Sequence, residues 1–579
     1  MPSLKNQNHH FIPRFILRYF IPDDQPPAWP AAASKRKSRR RDFLVNNINL
    51  ESASLTQRPV STECSLVNMY RDPGFEENPY HLEEKLSRLE TKASEIINKA
   101  VSTFAKSSVL ELKRPEVDIL RKFLFLMKYR NRGMLERYNH DDAENYDADD
   151  RPRMLRYMKA KGFTKPRDVW FDNLRHMLDL KMDAAKTWRR TLHTQIYPDD
   201  ASMFELHLLH SYMTFCQPHM AGEEFLLTEN AFGIFEGPST TRTNILTGKA
   251  EAFVYTEYHN FAPISPRLLI ILRSGVLPFP GDKGKFEEAR SLFAAVLRSA
   301  HLEPDKTVSI LEDLQVRPCK TVYKSAVVDP PASFSKDDTF LFLCFKLSSA
   351  HMTTINNLFL EEAYGTSSII YHSSVALRAC LENYFEDDRS GLKKVIGMPG
   401  DRRRSYFGTL EKVLRDLGGS ARCKINPVDL SNIHVRGHMA LNAGMLVGMQ
   451  LLQRQKPLGS LPRAYALLKH EATLQTFWYD VDQASRLAML RTKLDCALKR
   501  CMLSDPDKNA VRAQIHAFCN TFPAERLWLY FKIMRNLSRC DVDDIVAHPP
   551  ELELGGAEDD FAEAIAKHPH MKGLFVPTT

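Results

Sequence analysis

Glycine is scarce in this chain, and long apolar runs are missing. Only 24 of the 579 residues are glycine and 33 are proline, which excludes collagen-like and low-complexity scaffolds and permits long helices. No run approaches the roughly 20 apolar residues that a helix needs to cross a bilayer. The remaining composition, with 43% hydrophobic and 26% charged residues, is typical of a globular protein of two or more domains.

The cysteines also lack the spacing of a metal or redox site. None of the ten cysteines lies in a C-x-x-C pair, so neither a zinc site nor a disulfide framework is indicated. The apolar segment FIPRFILRYFI near the amino terminus is interrupted by Pro13, Arg14 and Arg18, which argues against a secretory signal. We therefore predict a reducing compartment, the cytoplasm, and no membrane partner.

Several catalytic motifs are missing as well. The segment GDKGK at residues 281–285 lacks the spacing of a P-loop, and the chain contains no G-x-G-x-x-G after a strand, no H-E-x-x-H and no G-x-S-x-G. The sequence thus indicates no ATP, no nicotinamide cofactor, no metal and no hydrolase-type triad.

Hydrophobic periodicity predicts an α+β protein that is predominantly helical. Apolar residues recur at helical spacing over residues 81–100 and 115–138. Between about residues 203 and 272 the period approaches two, which favours a small mixed sheet in the first half. Helical patterns dominate from residue 286 onward, apart from one buried strand at FLFLCFKL. We predict a core domain at residues 1–280 and a mainly helical region at 281–579.

Basic residues exceed acidic ones by 79 to 71, a formal net charge of +8, and they cluster near aromatic residues. The amino-terminal run KRKSRRR contains Arg36, Arg39 and Arg40, and DRRRSYF contains Arg402, Arg403 and Arg404. Such clusters suit RNA, because cationic groups bind phosphates and aromatic rings stack on unpaired bases. Each cluster taken alone is also compatible with a solvated loop or helix face.

Two segments carry candidate site residues. The start, NQNHHFIPRFILRYF, places His9 and His10 before a proline and apolar residues, which predicts that this terminus is buried or docked. Histidine exchanges protons near neutral pH. The alternative is that these histidines only bind neighbouring backbone groups. The segment FLLTENAFGIFEG places Thr228, Glu229 and Asn230 at the tip of a predicted strand, where site residues are common; the alternative is a turn capped by Asn230.

These segments resemble a family of unknown function whose members open with a His-His-x-x-Pro type of signature, which here reads HHFIPRFILRYF. Later elements of that family follow in order over residues 7–275: LSRLE with Glu90, FLMKYRNR with Arg130 and Arg132, and FAPISP at 261–266. The family's Asp-Asn-Pro is Glu229-Asn230-Ala231 in this chain, which keeps the carboxylate and loses the rigid proline.

With its additional carboxy-terminal half, the chain is similar to the fungal arginine-containing cyclodipeptide synthases. The resemblance implies a transferase of secondary-metabolite biosynthesis that joins an arginyl residue and a second amino acid, both taken from aminoacyl-tRNA, into a cyclo-Arg-Xaa diketopiperazine. Aminoacyl esters are already activated, which agrees with the missing ATP motif. No cofactor is expected, and the partners are arginyl-tRNA and a second aminoacyl-tRNA.

The candidate residues can be distributed over the needs of that reaction. We expect His10, with His9 beside it, to deprotonate the attacking amine, and Glu229 or Glu90 to bind the arginyl guanidinium. Further substrate contacts are expected from Arg14, Arg130, Thr228 and Asn230. The tRNA backbone would meet the cationic side chains Arg36, Arg39, Arg40, Arg402, Arg403 and Arg404.

Two other functional classes remain open from the sequence. One is an RNA-processing hydrolase that uses His9, His10 and Glu229; the other is a non-catalytic RNA or protein interaction module. The sequence also leaves open the second amino acid, the choice between a covalent acyl-enzyme and direct attack, and the oligomeric state.

Overall fold

A computed structural model describes most of the first three-quarters of the chain and parts of the rest. The described residues are 6–25, 42–146, 148, 150–243, 250–275, 277, 308–324, 335–389, 391–395, 402–427, 465–473, 476–477, 479–481, 483–484, 504–519 and 523–537. The chain forms two compact units. The first comprises Met1–Gly237, Glu257–Gly281 and Ser309–Ile433, and the second comprises Pro238–Thr256, Asp282–Val308 and His434–Thr579.

The described part of the first unit contains eleven α-helices. They are α1 (Arg14–Leu17), α2 (His81–Phe104), α3 (Arg114–Tyr129), α4 (Arg132–Tyr138), α5 (Arg151–Lys161), α6 (Pro166–Asp179), α7 (Trp188–Gln195), α8 (Pro198–Leu209), α9 (Ser349–Glu362), α10 (Ser374–Glu386) and α11 (Arg402–Asp416). The described helices of the second unit are α12 (Asp505–Cys519) and α13 (Ala524–Leu537).

The strands form several small sheets. They are β1 (Asn8–His10), β2 (Leu44–Asn49), β3 (Ser54–Pro59), β4 (Ser65–Val67), β5 (Val109–Lys113), β6 (Ser211–Pro218), β7 (Leu227–Thr228), β8 (Phe235–Glu236), β9 (Ser239–Thr243), β10 (Ala250–Tyr255), β11 (His259–Ser265), β12 (Leu268–Ser274), β13 (Lys320–Val322), β14 (Thr339–Leu347), β15 (Ser368–Tyr371), β16 (Lys394–Val395) and β17 (Asn426–Pro427).

The largest sheet is mixed, as predicted. Its path is β13-β14-β6-β12-β11-β8, with β5 pairing β14. The contact between β14 and β6 is parallel, whereas the other pairings in this sheet are antiparallel. The protein is therefore of the α+β class, and FLFLCFKL is the strand that its pattern predicts.

The sheets extend beyond the predicted first half. Strand β14 completes the mixed sheet, and β15 lies in the middle of a four-stranded sheet with the order β3-β2-β15-β7. Strand β14 thus pairs with β5 and β6, and β15 pairs with β2, all of which lie much earlier in the chain. Long-range strand pairing of this kind leaves no signal in local periodicity. The domain boundary at residue 280 stays a prediction.

Helix α2 confirms the predicted amphipathic helix. Its residues Leu82, Leu86, Ala93 and Ile97 are almost completely buried, at the spacing of one helical face. Glu83 and Glu84 lie in its first turn, where negative charge interacts favourably with the helix dipole.

The single helix predicted over residues 115–138 is wrong, because the chain forms two helices there. Helix α3 ends at Tyr129, and α4 begins after Asn131, whose side-chain oxygen accepts the backbone N–H of Met134 at 2.9 Å. An asparagine that caps a helix in this way favours a new start over continuation. The interruption puts Arg130 and Arg132 at a helix junction, from which their side chains reach different partners.

Within the described residues, no helix is long and apolar enough to span a membrane.

Candidate functional site

The segment that carries His9 and His10 is fixed inside the first unit. Strand β1 pairs with β4 in antiparallel register, and the N–H of Phe11 binds the carbonyl of Cys64 at 3.0 Å. Pro13 then precedes α1, and the apolar residues that follow are buried. The expectation that this terminus is docked is confirmed, and it places both histidine rings in a packed interior.

His9 is held as a neutral ring. Its Nδ1 accepts the backbone N–H of Tyr70 at 2.8 Å, so we assign the proton of the neutral ring to Nε2. The ring stacks on Tyr70 with centroids 5.6 Å apart, and burial lowers the pKa of His9 to about 4. Its Nε2 is buried and has no hydrogen-bond partner among the residues that the structure describes.

His10 is neutral as well. Its Nε2 donates to the carbonyl of Val60 at 3.1 Å, which leaves Nδ1 as an acceptor. Burial is the main cause that lowers the pKa of His10 to about 4, and the positive charges of Arg14 and Arg130 lower it further. At neutral pH this imidazole has an available lone pair but little affinity for a proton.

Arg130 is the buried cation next to the histidines. Its side chain is 1% exposed, and its Nη2 lies 2.6 Å from Oε1 of Glu90. Its Nε and Nη1 are buried, and neither has a partner in the described structure. The hydroxyl of Tyr70, which stacks on His9, donates to the carbonyl of Arg130 at 2.9 Å. One tyrosine thus joins the backbone of the arginine to the ring of the histidine.

Glu83 is a carboxyl group that the sequence analysis missed. It lies two helical turns before Glu90 on the same side of α2, and it is partly buried. Burial raises the pKa of Glu83 to about 7. The positive charge of Arg130 lowers this pKa, the negative charge of Glu90 raises it, and the positive charge of Arg14 lowers it. We call His9, His10, Glu83, Glu90 and Arg130 the histidine–arginine cluster.

A second group of polar side chains lies at the end of the four-stranded sheet. Glu229 follows β7, and its Oε2 accepts the N–H of Ser367 at 3.1 Å while its Oε1 accepts the hydroxyl of the same serine. Ser368 donates to Oε1 of Glu63 at 2.7 Å and lies 3.3 Å from Oε1 of Glu229. We call Glu63, Glu229, Ser367 and Ser368 the serine–carboxylate cluster.

Both carboxyl groups of this cluster are buried, with Glu63 3% and Glu229 6% exposed. Asn47 also donates to Glu63 at 2.9 Å. Burial raises the pKa of Glu63, and the charge of Glu229 raises it further, against the opposing effects of Ser368, Arg58 and Asn47. Because protein donors already occupy most of the lone pairs of Glu229, this carboxylate has little capacity left for a ligand.

Thr228 and Asn230 hold the end of β7 in place. The hydroxyl of Thr228 donates to Oδ1 of Asn230 at 2.8 Å, and the Asn230 amide donates to the carbonyl of Glu362 at 2.9 Å. Their side chains therefore bind each other and the end of α9, and this arrangement fixes the backbone that presents Glu229.

The α3–α4 junction connects the two clusters. Arg130 binds Glu90 in the histidine–arginine cluster, and Arg132, two residues later, places Nη1 3.8 Å from Oε2 of Glu229. The structure thus brings His9, His10, Glu90, Arg130 and Glu229 into neighbouring positions. The exposed Arg14 lies near enough to affect the pKa of both His10 and Glu83.

The residues expected to bind tRNA differ in their availability. Arg402 and Arg404 are exposed on α11. Arg403 instead donates to Glu361 at 2.8 Å and lies over the ring of Tyr364 at 4.5 Å, so its charge is already paired. Arg36, Arg39 and Arg40 lie outside the described residues.

Metal-ligating side chains do not converge in the described part of the chain. No group of three or more His, Cys, Asp or Glu residues there has an arrangement that could hold a metal ion.

A sequence model of the family described as "Protein of unknown function (DUF4238)" matches residues 8–375. The chain belongs to the DUF4238 family. No curated protein and no solved structure matches it. The DUF4238 match includes both clusters, from His9 to Ser368, and it ends before α11 with Arg402 and Arg404. The two clusters are therefore part of the family region, whereas the exposed arginines of α11 are not.

Sequence reasoning missed residues of two kinds in this DUF4238 protein. Glu83 could have been found, because it lies seven residues before Glu90 on the same side of a predicted helix. Glu63 and Ser368 could not, because they meet only through the pairing of β2 with β15 and a contact between distant segments.

Proposed function

We propose that this protein is a tRNA-dependent cyclodipeptide synthase that condenses an arginyl residue with a second amino acid. Two things support the proposal: the resemblance of the chain, with its family signature and its additional carboxy-terminal half, to the arginine-containing cyclodipeptide synthases, and the chemistry available in the histidine–arginine cluster. We further propose that it acts in the cytoplasm, where aminoacyl-tRNA is available, and that its carboxy-terminal half is predominantly helical.

One observation carries the proposal. A buried guanidinium, that of Arg130, has two N–H groups without partners in the described structure, and it lies in the same cluster as uncharged histidines and the carboxyl group of Glu83. Unpaired donors in a buried position are costly for folding, and they suit a site that stabilises negative charge appearing during a reaction.

Peptide-bond formation from aminoacyl esters creates such a charge. The α-amine of one aminoacyl-tRNA attacks the carbonyl carbon of the other, a C–N bond forms, and the C–O bond to the ribose breaks. The amine loses a proton and the departing ribose oxygen gains one. In a second attack, the free amine of the dipeptidyl ester closes the ring and releases the second tRNA. No oxidant and no nucleotide triphosphate is consumed.

The cluster offers a group for each step. Arg130 Nε and Nη1 would stabilise the tetrahedral oxyanion, and the Nε2–H of His9 is a further buried donor. The half-buried carboxylate of Glu90, which Arg130 contacts at Oε1, would accept the substrate guanidinium. We prefer Glu90 to Glu229 for this role because the lone pairs of Glu229 are occupied.

Surface cations would hold the tRNA backbone. Arg402 and Arg404 on α11 are exposed and available for phosphate contacts, and Arg14 is exposed beside the cluster. Arg403 would not contact the phosphates directly, because its guanidinium is paired with Glu361.

The test is a reconstitution with purified protein, arginyl-tRNA and a panel of other aminoacyl-tRNAs, analysed by mass spectrometry. We expect a cyclo-Arg-Xaa product that forms only with charged tRNA. Cleavage of uncharged RNA without an amino-acid product would instead indicate the RNA hydrolase. Tight RNA binding with neither reaction would indicate an interaction module.

A further inference from the structure

Neither histidine is well suited to take a proton from an ammonium group. Burial lowers the pKa of both rings to about 4, whereas an α-ammonium group has a pKa of about 7.7–8.0. His9 Nδ1 is moreover already occupied by the N–H of Tyr70. A base works best when its own pKa lies near the working pH, and the histidines are far below it.

Glu83 lies on the same side of α2 as Glu90, the partner of Arg130, and unlike His9 it is not occupied by a hydrogen bond from any described residue. Its carboxyl group belongs to the first turn of α2, and it has no hydrogen bond or ion pair at contact distance to any residue that the structure describes. Three charged groups affect the pKa of Glu83: Arg130 from the α3–α4 junction, Glu90 from the same helix and Arg14 from α1. The charge of Glu83 in turn raises the pKa of Tyr70, which lies between His9 and Arg130.

The contrast with neighbouring carboxylates is informative. Glu90 is engaged by Arg130, and Glu229 and Glu63 are engaged by Ser367 and Ser368. Donors of the protein therefore already contact each of these carboxyl groups, whereas Glu83 has free lone pairs and remains partly open to solvent.

We infer that Glu83 is the general base that deprotonates the attacking α-ammonium group, a role that rests on the proposed function. The carboxylate of Glu83 takes one proton from the ammonium, and the amine then attacks the ester carbonyl while Arg130 binds the developing oxyanion. This proton passes to the ribose oxygen as the C–O bond breaks, and the second proton that the nitrogen loses on becoming an amide is released to solvent, so Glu83 returns to its ionised form after each bond is made.

The experiment compares wild type with Glu83→Gln, Glu83→Asp and the matched control Glu84→Gln. Glu84 is the exposed neighbour in the same helical turn. We expect Glu83→Gln to lower the rate of cyclodipeptide formation by roughly 10²- to 10⁴-fold, the usual contribution of a general base. Glu83→Asp should retain part of the rate, and Glu84→Gln should match wild type.

A second nucleophile shows whether Glu83→Gln has lost only the general base or has damaged the active site as a whole. Hydroxylamine is largely uncharged at neutral pH and attacks arginyl esters without needing a base. Glu83→Gln should therefore keep the wild-type rate of enzyme-stimulated arginine hydroxamate formation from arginyl-tRNA. If both reactions are lost together, Glu83 has a structural role and the inference is wrong.

The outcomes distinguish this inference from the proposed function. Wild-type protein that makes no cyclic product removes the proposed function, and the role of Glu83 with it. If the wild type is active and the Glu83→Gln variant is equally active, the proposed function stands and only the role of Glu83 is excluded. Circular dichroism and thermal unfolding of each variant at pH 7 confirm that the compared proteins are folded.

Discussion

Arg130 binds Glu90 through a single guanidinium nitrogen, with 2.6 Å between Arg130 Nη2 and Glu90 Oε1. A structural ion pair between these two residue types usually uses two nitrogens, and here Nε and Nη1 remain without partners in the described structure. The helix break at Asn131 places this guanidinium next to His10 and Glu83, whose pKa values both respond to it. The arrangement suits a ligand with negative charge or a charge-developing carbonyl oxygen.

Replacing Arg130 by lysine should separate charge from geometry. Arg130→Lys keeps the positive charge for Glu90 but removes the extra N–H donors. We expect kcat for cyclodipeptide formation to fall by roughly 10²- to 10³-fold, as for loss of an oxyanion donor, with a smaller change in KM. Steady-state kinetics check this, with Arg88→Lys on the exposed face of α2 as the control. An unchanged kcat would exclude Arg130 from the reaction.

Ser368 should be important for stability, because it is the shared donor of two buried carboxyl groups. Ser368→Ala leaves Glu63 with one donor fewer, and we expect the free energy of unfolding to fall by about 1–3 kcal/mol, the cost of an unsatisfied buried group. Urea unfolding measures this. The exposed Ser87→Ala on α2 should change stability by less than about 0.5 kcal/mol. Equal effects of the two substitutions would contradict the predicted cost of the shared contact.

The pH dependence of stability should reveal His9. Its pKa is about 4 in the folded protein and about 6.5 in an unfolded chain. Between these values the unfolded state binds a proton that the folded state does not, so the free energy of unfolding decreases as pH falls from about 6.5 to about 4.

His9→Gln keeps an acceptor for Tyr70 but cannot titrate. We expect the stability lost by wild type between pH 7 and pH 5 to shrink in this variant by on the order of 1 kcal/mol. Urea titrations of both proteins at the two pH values provide the comparison. Identical pH dependence would show that His9 titrates normally in the folded protein.

Much of the local structure could be predicted from the sequence. The amphipathic pattern of α2, the apolar strand β14 and the docked HHFIPRF segment have strong local signals, and the structure confirms them. The break between α3 and α4 was missed because the apolar residues keep their helical spacing through it. The new helix is started by one capping side chain, that of Asn131.

The site was predicted only in part. His9, His10, Glu90 and Arg130 lie together, but spacing could not show that burial would lower the pKa of both histidines. Nor could it show that Glu229 would be occupied by Ser367, since these residues are brought together by the antiparallel pairing of β7 and β15. Burial and long-range pairing, which decide what a titratable group can do, are properties of the folded chain.

Binding of tRNA can be tested on α11. Arg402→Ala combined with Arg404→Ala should weaken the binding of arginyl-tRNA and lower the slope of log affinity against log salt concentration by roughly 1.5, because two phosphate contacts are lost. Arg415→Ala, exposed near the other end of the same helix, is the matched control. Salt-titrated filter binding measures both. An unchanged slope in the double variant would exclude this helix end from the RNA surface.

The most direct measurement is the mass spectrum of metabolites from a host that expresses this chain alone and is fed ¹³C-labelled arginine. We predict a new cyclic dipeptide that carries the label, is absent from the empty-vector control, and is strongly reduced with Arg130→Lys. A well-folded, abundant protein that yields no labelled cyclic dipeptide would contradict the proposed function.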